Sequence, residues 1–468
     1  MGGLEAVEVK LSNLLINNDE FRIDSEFFKK EFTLLDNLLI DSLKLNDLVY
    51  MSDLSTNGSF KTVSNIVNDN NPKVIPFIRS GNTGNIFIQK DDLIFISKEA
   101  HNKLPKSTTK LHDIIMARKG KIGGATIIMS DEVGFNCNEN VIKLDIKDKD
   151  ILNPFYFATF FNSKFGFQQI ERLSTGNVQP WVSIYQIRKL VIPILLKSFQ
   201  LVIEKLVKQA HKKLQDSKIL YKKAENLLLK ELNLLNFEPT KKNTSIKSFS
   251  ESFGSSGRLD SEYYLPKYDE VINKIKSYKG GFEKLGDILL YISTGEYSEN
   301  YYKETKGLSF YIRSTNIRDG LVQKDASHFV NSSNFTRFVK EGDIVTARVG
   351  TLGIFGTINN FQNNSIYSDN VLCFRLPTKY NPYVYTLFLN STYNKLLIDR
   401  LARGSVQQRL NQETLKELLV PIIDQSIQTQ IEDKIKESFR LKEESKELLE
   451  LAKRGVEVAI EEGEEVAM

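Results

Sequence analysis

A chain of 468 residues, 41% hydrophobic and 10% aromatic, carries enough apolar side chains for two or three domain cores, which excludes disorder as its global state. The 63 Lys and Arg against 59 Asp and Glu leave a net charge of +4, too small to name a polyanion partner, so that argument must come from where charges cluster. Two cysteines exclude a disulfide framework, and no apolar run approaches the roughly 20 residues of a membrane span or a secretory signal; a soluble cytoplasmic protein with no membrane partner is expected.

From about residue 20 to 195, short β-branched and aromatic runs alternate with Asn, Gly, Ser and Asp clusters. Strands are predicted at Asn85-Ile86-Phe87-Ile88, Leu93-Ile94-Phe95-Ile96 and Ala125-Thr126-Ile127-Ile128. Asn153-Pro154 fits a helix cap with proline in the first turn, and Phe155 to Phe167 reads as a buried helix, making the domain α+β. A long helix then follows. Ile203, Val207, Ala210, Leu214, Ser217, Tyr221, Ala224 and Leu228 alternate steps of four and three, a heptad seam. Residues 239–257, rich in Lys, Ser, Asn, Thr and Gly, read as a linker.

After the linker the chain repeats itself. Arg22-Ile23-Asp24-Ser25-Glu26-Phe27-Phe28 returns as Arg258-Leu259-Asp260-Ser261-Glu262-Tyr263-Tyr264, and Ile78-Arg79-Ser80 as Ile312-Arg313-Ser314. Asp113 to Arg118 returns as Asp343 to Arg348, Asn153-Pro154 as Asn381-Pro382, and Gly176 to Gln179 as Gly404 to Gln407. Val371-Leu372-Cys373-Phe374 predicts a strand and Tyr383 to Tyr393 a second buried helix. The second seam is Ile431, Ile435, Ser438, Lys442, Ser445, Leu449, Ala452 and Val456, with Lys442 its one polar intruder. A period of roughly 230 residues is far longer than a solenoid repeat, so each copy is a domain with its own core.

The boundaries are therefore a domain at 1–195, a helix at 196–238, the linker at 239–257, a second domain at 258–422, a second helix at 423–460 and a frayed acidic tail at 461–468. Two such copies form a pseudo-dimer. A two-fold axis across the helices sets the seams face to face and antiparallel, and the Lys-rich first helix suits the acidic second. Small seam residues permit close approach, and helices of ~35 to 40 residues are ~50 to 60 Å long, enough for a spacer.

Catalytic groups are not legible. His101, His112, His211 and His328 are scattered and none recurs in the other copy, and no spacing fits a metal site. Cys137 and Cys373 stand at inequivalent places. The Gly350 to Gly356 run lacks the order of a nucleotide loop and reads, with Lys119 to Gly124, as a hairpin turn. Asn153-Pro154-Phe155-Tyr156 lacks the second proline of the amino-methyltransferase motif that it resembles. Basic turns are present instead. Arg79-Ser80-Gly81-Asn82 matches Arg313-Ser314-Thr315-Asn316, with Arg318 close by, and Arg118-Lys119-Gly120-Lys121 matches Arg348-Val349-Gly350. Such side chains neutralise phosphates and match base edges.

The duplicated Arg-x-Asp-Ser-Glu-aromatic-aromatic pattern, the Asp-Ile-x-x-Ala-Arg-x-Gly strand-turn, Gly-x-Val-Gln, and Ile-Pro-Ile or Val-Pro-Ile before Gln and a long helix resemble the specificity (S) subunits of type I restriction-modification systems. The resemblance implies two target recognition domains joined by an antiparallel coiled coil with pseudo-two-fold symmetry that acts as a ruler. It implies a non-catalytic subunit that reads an asymmetric bipartite double-stranded DNA target. Its partners are two methyltransferase (M) subunits and, through them, restriction (R) subunits. S-adenosylmethionine, ATP and Mg belong to those partners, with no cofactor or metal on this chain. Contact candidates are Arg79, Asn82, Lys119, Lys121 and Gln179 in the first copy and Arg313, Asn316, Arg318, Arg348 and Gln407 in the second. The alternatives are the specificity subunit of a type IIB-like system and a coiled-coil scaffold without DNA specificity.

Overall fold

A computed structural model describes residues 22–175, 180–350, 352–362, 364–401 and 409–467, together with Glu8. The chain divides into two compact units, Met1–Gln215 with Leu441–Met468, and Asp216–Arg440.

The first unit contains β1 (Leu43–Lys44), β2 (Val49–Ser52), β3 (Lys73–Ile78), β4 (Ile94–Ser97), β5 (Ile114–Ala117), β6 (Thr126–Ile127), β7 (Asn136–Cys137), β8 (Val141–Ile146) and β9 (Val191–Ile192). They form sheets in the orders β2-β8-β5-β6, β4-β3-β7 and β1-β9. All pairings are antiparallel except β3 with β7, where Phe77 stands opposite Asn136. All four residues of β5 are buried. All eight residues of the helix Pro154–Phe161 are buried too, which explains its lack of a polar face.

The second unit repeats this order with β10 (Phe282–Lys284), β11 (Tyr291–Thr294), β12 (Ser309–Ile312), β13 (Ile317–Arg318), β14 (Gly320–Val322), β15 (Phe329–Val330), β16 (Ile344–Ala347), β17 (Phe355–Thr357), β18 (Ile366–Tyr367), β19 (Val371–Arg375) and β20 (Leu419–Pro421). Its sheets run β11-β19-β16-β17-β14-β13, β15-β12-β18 and β10-β20. The parallel pair recurs as β12 with β18. Two strands are extra. The hairpin β13–β14 turns through Asp319 (φ 53°) and Gly320 (φ 75°), successive left-handed residues suited to an Asp-Gly turn.

Some boundaries differ from the sequence reading. Asn85 to Ile88 occupies the place of the second unit's hairpin but is not a strand. Ile86, Phe87 and Ile88 are buried, and the segment meets β6 through Ile127 N–H to Ile86 O at 2.9 Å and Thr126 Oγ1 to Asn85 O at 2.6 Å. Its apolar pattern recorded burial without a ladder. The remaining predicted strands lie at β4, β6 and β19. Phe155 to Phe167 is not one helix: Pro154–Phe161 ends at Asn162, whose Nδ2 donates to Ala125 O and Ala158 O, and a new helix runs Lys164–Leu173. Pro382–Leu389 and Thr392–Leu401 repeat this break.

The first long helix is Lys197–Glu231, shorter than expected. Asn233 takes φ 55° and Leu234 N–H returns to Leu229 O at 2.7 Å, a left-handed stop. The second is Gln425–Glu461. In the first unit Ile203, Val207 and Ala210 are buried with Ala452 and Val456, Leu214 and Leu449 are partly buried beside them, and Ser445 Oγ donates to Ala210 O at 2.7 Å. In the second, Ala224 and Leu228 pack with Ile431 and Ile435, Tyr221 packs on Phe439, and Ser438 Oγ donates to Ser217 O at 2.8 Å. Rising numbers on one helix meet falling numbers on the other, so the helices are antiparallel within each unit. A hydroxyl reaching the facing main chain shows how closely the small seam residues bring the backbones. Lys213 bridges to Glu444 across the pair, whereas Lys208 with Glu204 and Lys436 with Glu432 are pairs within one helix. The acidic tail is not frayed: Glu461 is still helical, Glu464–Ala467 forms a further turn, and Glu464 accepts Leu196 N–H at 3.0 Å.

Each domain is fastened to its own long helix by the same contact. Gln200 Oε1 accepts Asn153 N–H at 2.7 Å while its Nε2 donates to Ile151 O and Leu195 O. Gln428 repeats this with Asn381, Lys379 and Ile423. Both asparagines accept the next two free N–H groups of their helices, as expected of caps.

Candidate nucleic-acid interface

In each unit two strands end in arginine around one turn. β3 delivers Arg79 and β5 delivers Arg118, and between them Asn138-Glu139-Asn140 links β7 to β8. Asn138 N–H donates to Ile78 O at 2.9 Å and Arg118 N–H to Asn140 O at 2.7 Å, so the turn is laced to both strands at the residues where the arginines begin. In the second unit β12 delivers Arg313 and β16 delivers Arg348 around Ser368-Asp369-Asn370, with Ser368 N–H to Ile312 O and Arg348 N–H to Asn370 O, both 2.9 Å. The structure thus brings the two basic turns of each copy to one corner.

The four guanidinium groups share one oddity. The Nε atoms of Arg79, Arg118, Arg313 and Arg348 are buried without a hydrogen-bond partner. Buried polar atoms are nearly always paired, and the same exception stands at two equivalent pairs of positions, so all four arginines turn the Nε edge inward.

Their other contacts differ. Arg118 Nη1 is ion-paired with Asp53 at 2.6 Å, and Asp53 is 4% exposed. By strand register Thr294 takes the place of Asp53 in the second unit, since Ser52 pairs with Lys143 and Ser293 with Cys373. Arg348 Nη1 accordingly donates to a main-chain oxygen, Asp369 O at 3.0 Å, and has no carboxylate partner among the described residues. Arg118 was not among the contact candidates. Its alignment with Arg348 was the available signal; its buried acid lies 65 residues away in sequence and gave none.

Asn82 and Asn316 hold the loops. Asn82 is 0% and Asn316 5% exposed. Each Oδ1 accepts the main-chain N–H of Arg79 or Arg313, and each Nδ2 donates to Gln89 O or Gln323 O. Lys119 and Lys121 are exposed on the β5–β6 hairpin. Lys119 pairs through its backbone with Trp181, which is half-exposed. Lys121 lies over Gly84, where a Cβ would stand 3.6 Å from Lys121 Cε and 3.3 Å from Gly123 O. This stacks the two basic loops of the first unit. Gly120 (φ 81°) and Gly350 (φ 84°) take the left-handed conformation expected of hairpin glycines. Arg318 is exposed on β13 and donates through Nε to Thr315 O at 3.0 Å. Its hairpin packs against the long helices of the second unit, since a Cβ at Gly320 would meet the Tyr221 hydroxyl at 3.2 Å.

Gln179 and Gln407 lie outside the described residues. Their flanks are in register: Val182 N–H donates to Arg118 O at 2.8 Å and Leu410 N–H to Arg348 O at 3.0 Å. Among the described residues no His, Cys, Asp and Glu cluster has metal-binding geometry, and no helix is long and apolar enough to cross a membrane.

The family model described as type I restriction modification DNA specificity domain matches residues 42–250 and 280–451, once in each copy. Comparison with curated proteins returns no match. Among solved structures, the chain is similar to the type I restriction-modification system S subunit from M. genitalium, with 14% identity over 91% of this chain and 95% of that one and a TM-score of 0.39. It is also similar to the HsdS subunit from Thermoanaerobacter tengcongensis, with 13% identity over 90% and 96% and a TM-score of 0.29. With both copies matched over most of its length, this chain belongs to the type I restriction-modification DNA specificity family.

Proposed function

We propose that this chain is the non-catalytic specificity subunit of a type I restriction-modification complex and that it reads an asymmetric, bipartite duplex DNA target. Each domain contacts one half-site through its corner of two arginines. The observation that carries this reading is the duplicated corner itself: the same strands, turn and arginines, with different partners in the two copies. Equivalent frames with unequal contacts favour two unlike half-sites. Arg and Lys there supply phosphate contacts, and the geometry of Arg suits base edges. The antiparallel helices set the separation of the half-sites. Two M subunits, and R subunits through them, complete the assembly in the cytoplasm, and they bring S-adenosylmethionine, ATP and Mg.

The test is to express the chain with its methyltransferase subunits and map the modified bases across a genome. One split, non-palindromic motif is the expected result; modification without sequence preference would sink the proposal. Duplex titrations at several salt concentrations separate it from the scaffold reading, which expects no DNA response.

A further inference from the structure

Arg313 is held by a carboxylate that is itself held. Its Nη2 donates to Asp325 Oδ2 at 2.9 Å, and the same oxygen lies 2.7 Å from His328 Nδ1. Asp325 Oδ1 accepts Ser327 N–H at 2.8 Å. That bond is the main cause holding the Asp325 carboxyl below its usual range; partial burial opposes it, and His328 and Arg313 add to it. The His328 ring packs on Tyr301 at 5.2 Å between centroids, and Tyr301 on Tyr311 at 5.4 Å. Tyr311 is buried, and its hydroxyl donates to Glu296 O at 2.6 Å. The guanidinium is thus tied step by step to the domain core.

Among the described residues the first copy has no such chain. Arg79 Nη2 donates to the main-chain oxygen of Asp92 at 2.8 Å, and the Asp92 carboxylate, 65% exposed, is 3.4 Å away and shared with Asn82. No histidine stands beside it among its hydrogen-bond partners.

Restraint matters for one kind of ligand. A phosphate is satisfied by a cation in many orientations, whereas a base edge requires two donors in a fixed plane. With one Nη2 proton on Asp325 and Nε buried, Arg313 keeps its Nη1 protons and the second Nη2 proton. The side chain is 32% exposed. Two adjacent donors of this kind match the O6 and N7 acceptors of guanine.

We propose that Arg313 reads a guanine in the half-site contacted by the second domain, with Asp325 and His328 as its positioning residues. This rests on the DNA-specificity function proposed above and adds the base class and the means of aiming at it.

The experiment uses the full chain assembled with its methyltransferase subunits and duplexes carrying its mapped target. Each guanine of the second half-site is replaced in turn by adenine. The unaltered complex is expected to lose about 10- to 100-fold in affinity at one of these positions. Arg313→Ala is expected to abolish that preference. Asp325→Asn and His328→Ala are expected to lower it roughly tenfold while leaving discrimination within the first half-site intact, which reports a folded protein. His328→Asn, which can offer a donor near Nδ1, is expected to restore most of it. If Arg313→Ala weakens all duplexes equally and only flattens the salt dependence, the contact is to phosphate and the proposal is overturned. It is equally overturned if Asp325→Asn and His328→Ala keep the full preference. A complex with no preferred sequence at all refutes the function on which the proposal rests, a result distinct from either.

Discussion

Gln200 and Asn153, 47 residues apart, join a long helix to the domain before it through one 2.7 Å hydrogen bond, and both side chains are buried. Gln200 also satisfies two main-chain oxygens. Gln200→Leu therefore strands one buried N–H and two part-buried acceptors, and about 1–3 kcal/mol for the buried group sets the scale of the loss. Gln428→Leu is expected to behave alike, because its three partners are equivalent. Urea unfolding of the two variants checks this, and an unchanged midpoint in either one would contradict the fastening role.

The seam makes a prediction about size. Ser445 Oγ bonds to Ala210 O, so no space for a longer side chain exists at that level of the first unit. Ala210→Leu is expected to cost about 1–3 kcal/mol through overpacking. Ser445→Ala, which removes a hydroxyl and leaves a helical carbonyl already bonded within its helix, is expected to cost about 1 kcal/mol. Thermal unfolding should order the variants in that way; the reverse order would mean that the backbones are not in close approach.

These two contacts show what was legible in the sequence. The Gln after Ile-Pro-Ile, the Asn-Pro caps and the small residues at seam positions are local signals, and each sits where the repeat placed it. The antiparallel seams followed from the repeat, since a chain that imitates a dimer brings equivalent helices face to face. What sequence did not carry was long-range pairing. Nothing in Asp53 announces Arg118, and Asn82, a contact candidate by sequence, is used up by its own loop. Ile86 to Ile88 misled for another reason: alternation and burial cannot say whether a ladder partner lies alongside. The same motif, Arg-x-Asp before two aromatics, proved to be a clasp. Arg22 and Arg172 close on the ring of Phe27 at 4.9 and 4.3 Å, and Arg258 and Arg400 on Tyr263 at 4.4 and 4.5 Å.

The unequal corners separate two equivalent arginines. Asp53 is buried and pairs with Arg118, so Asp53→Ala leaves a largely buried cation uncompensated, at a cost of about 3–5 kcal/mol. Arg348 has no carboxylate partner among the described residues, and Arg348→Ala is expected to cost less stability but to weaken DNA binding by the assembled complex and reduce its salt slope by about one. Urea unfolding and salt-dependent titration give both readouts. Equal stability losses in the two variants would show that Thr294 in place of Asp53 makes no difference.

Acid sensitivity follows from the clasp. Arg22 donates to Asp24 through Nε at 2.8 Å and Arg258 to Asp260 at 2.7 Å, and these bonds, the largest cause, hold both carboxyls below their ordinary value of 3.8. A carboxyl with a depressed folded value contributes stability that is fully present above the unfolded value and disappears as pH falls through the folded one. The double variant Asp24→Asn with Asp260→Asn is therefore expected to unfold at lower temperature than the parent near pH 7, with the gap closing as pH falls below the ordinary carboxyl value of 3.8. Both carboxylates are part-exposed, so the gap is expected to shrink in high salt as well. Melting curves at stepped pH check the sign: a gap that widens toward acid would require these carboxyls to titrate above, not below, their unfolded value.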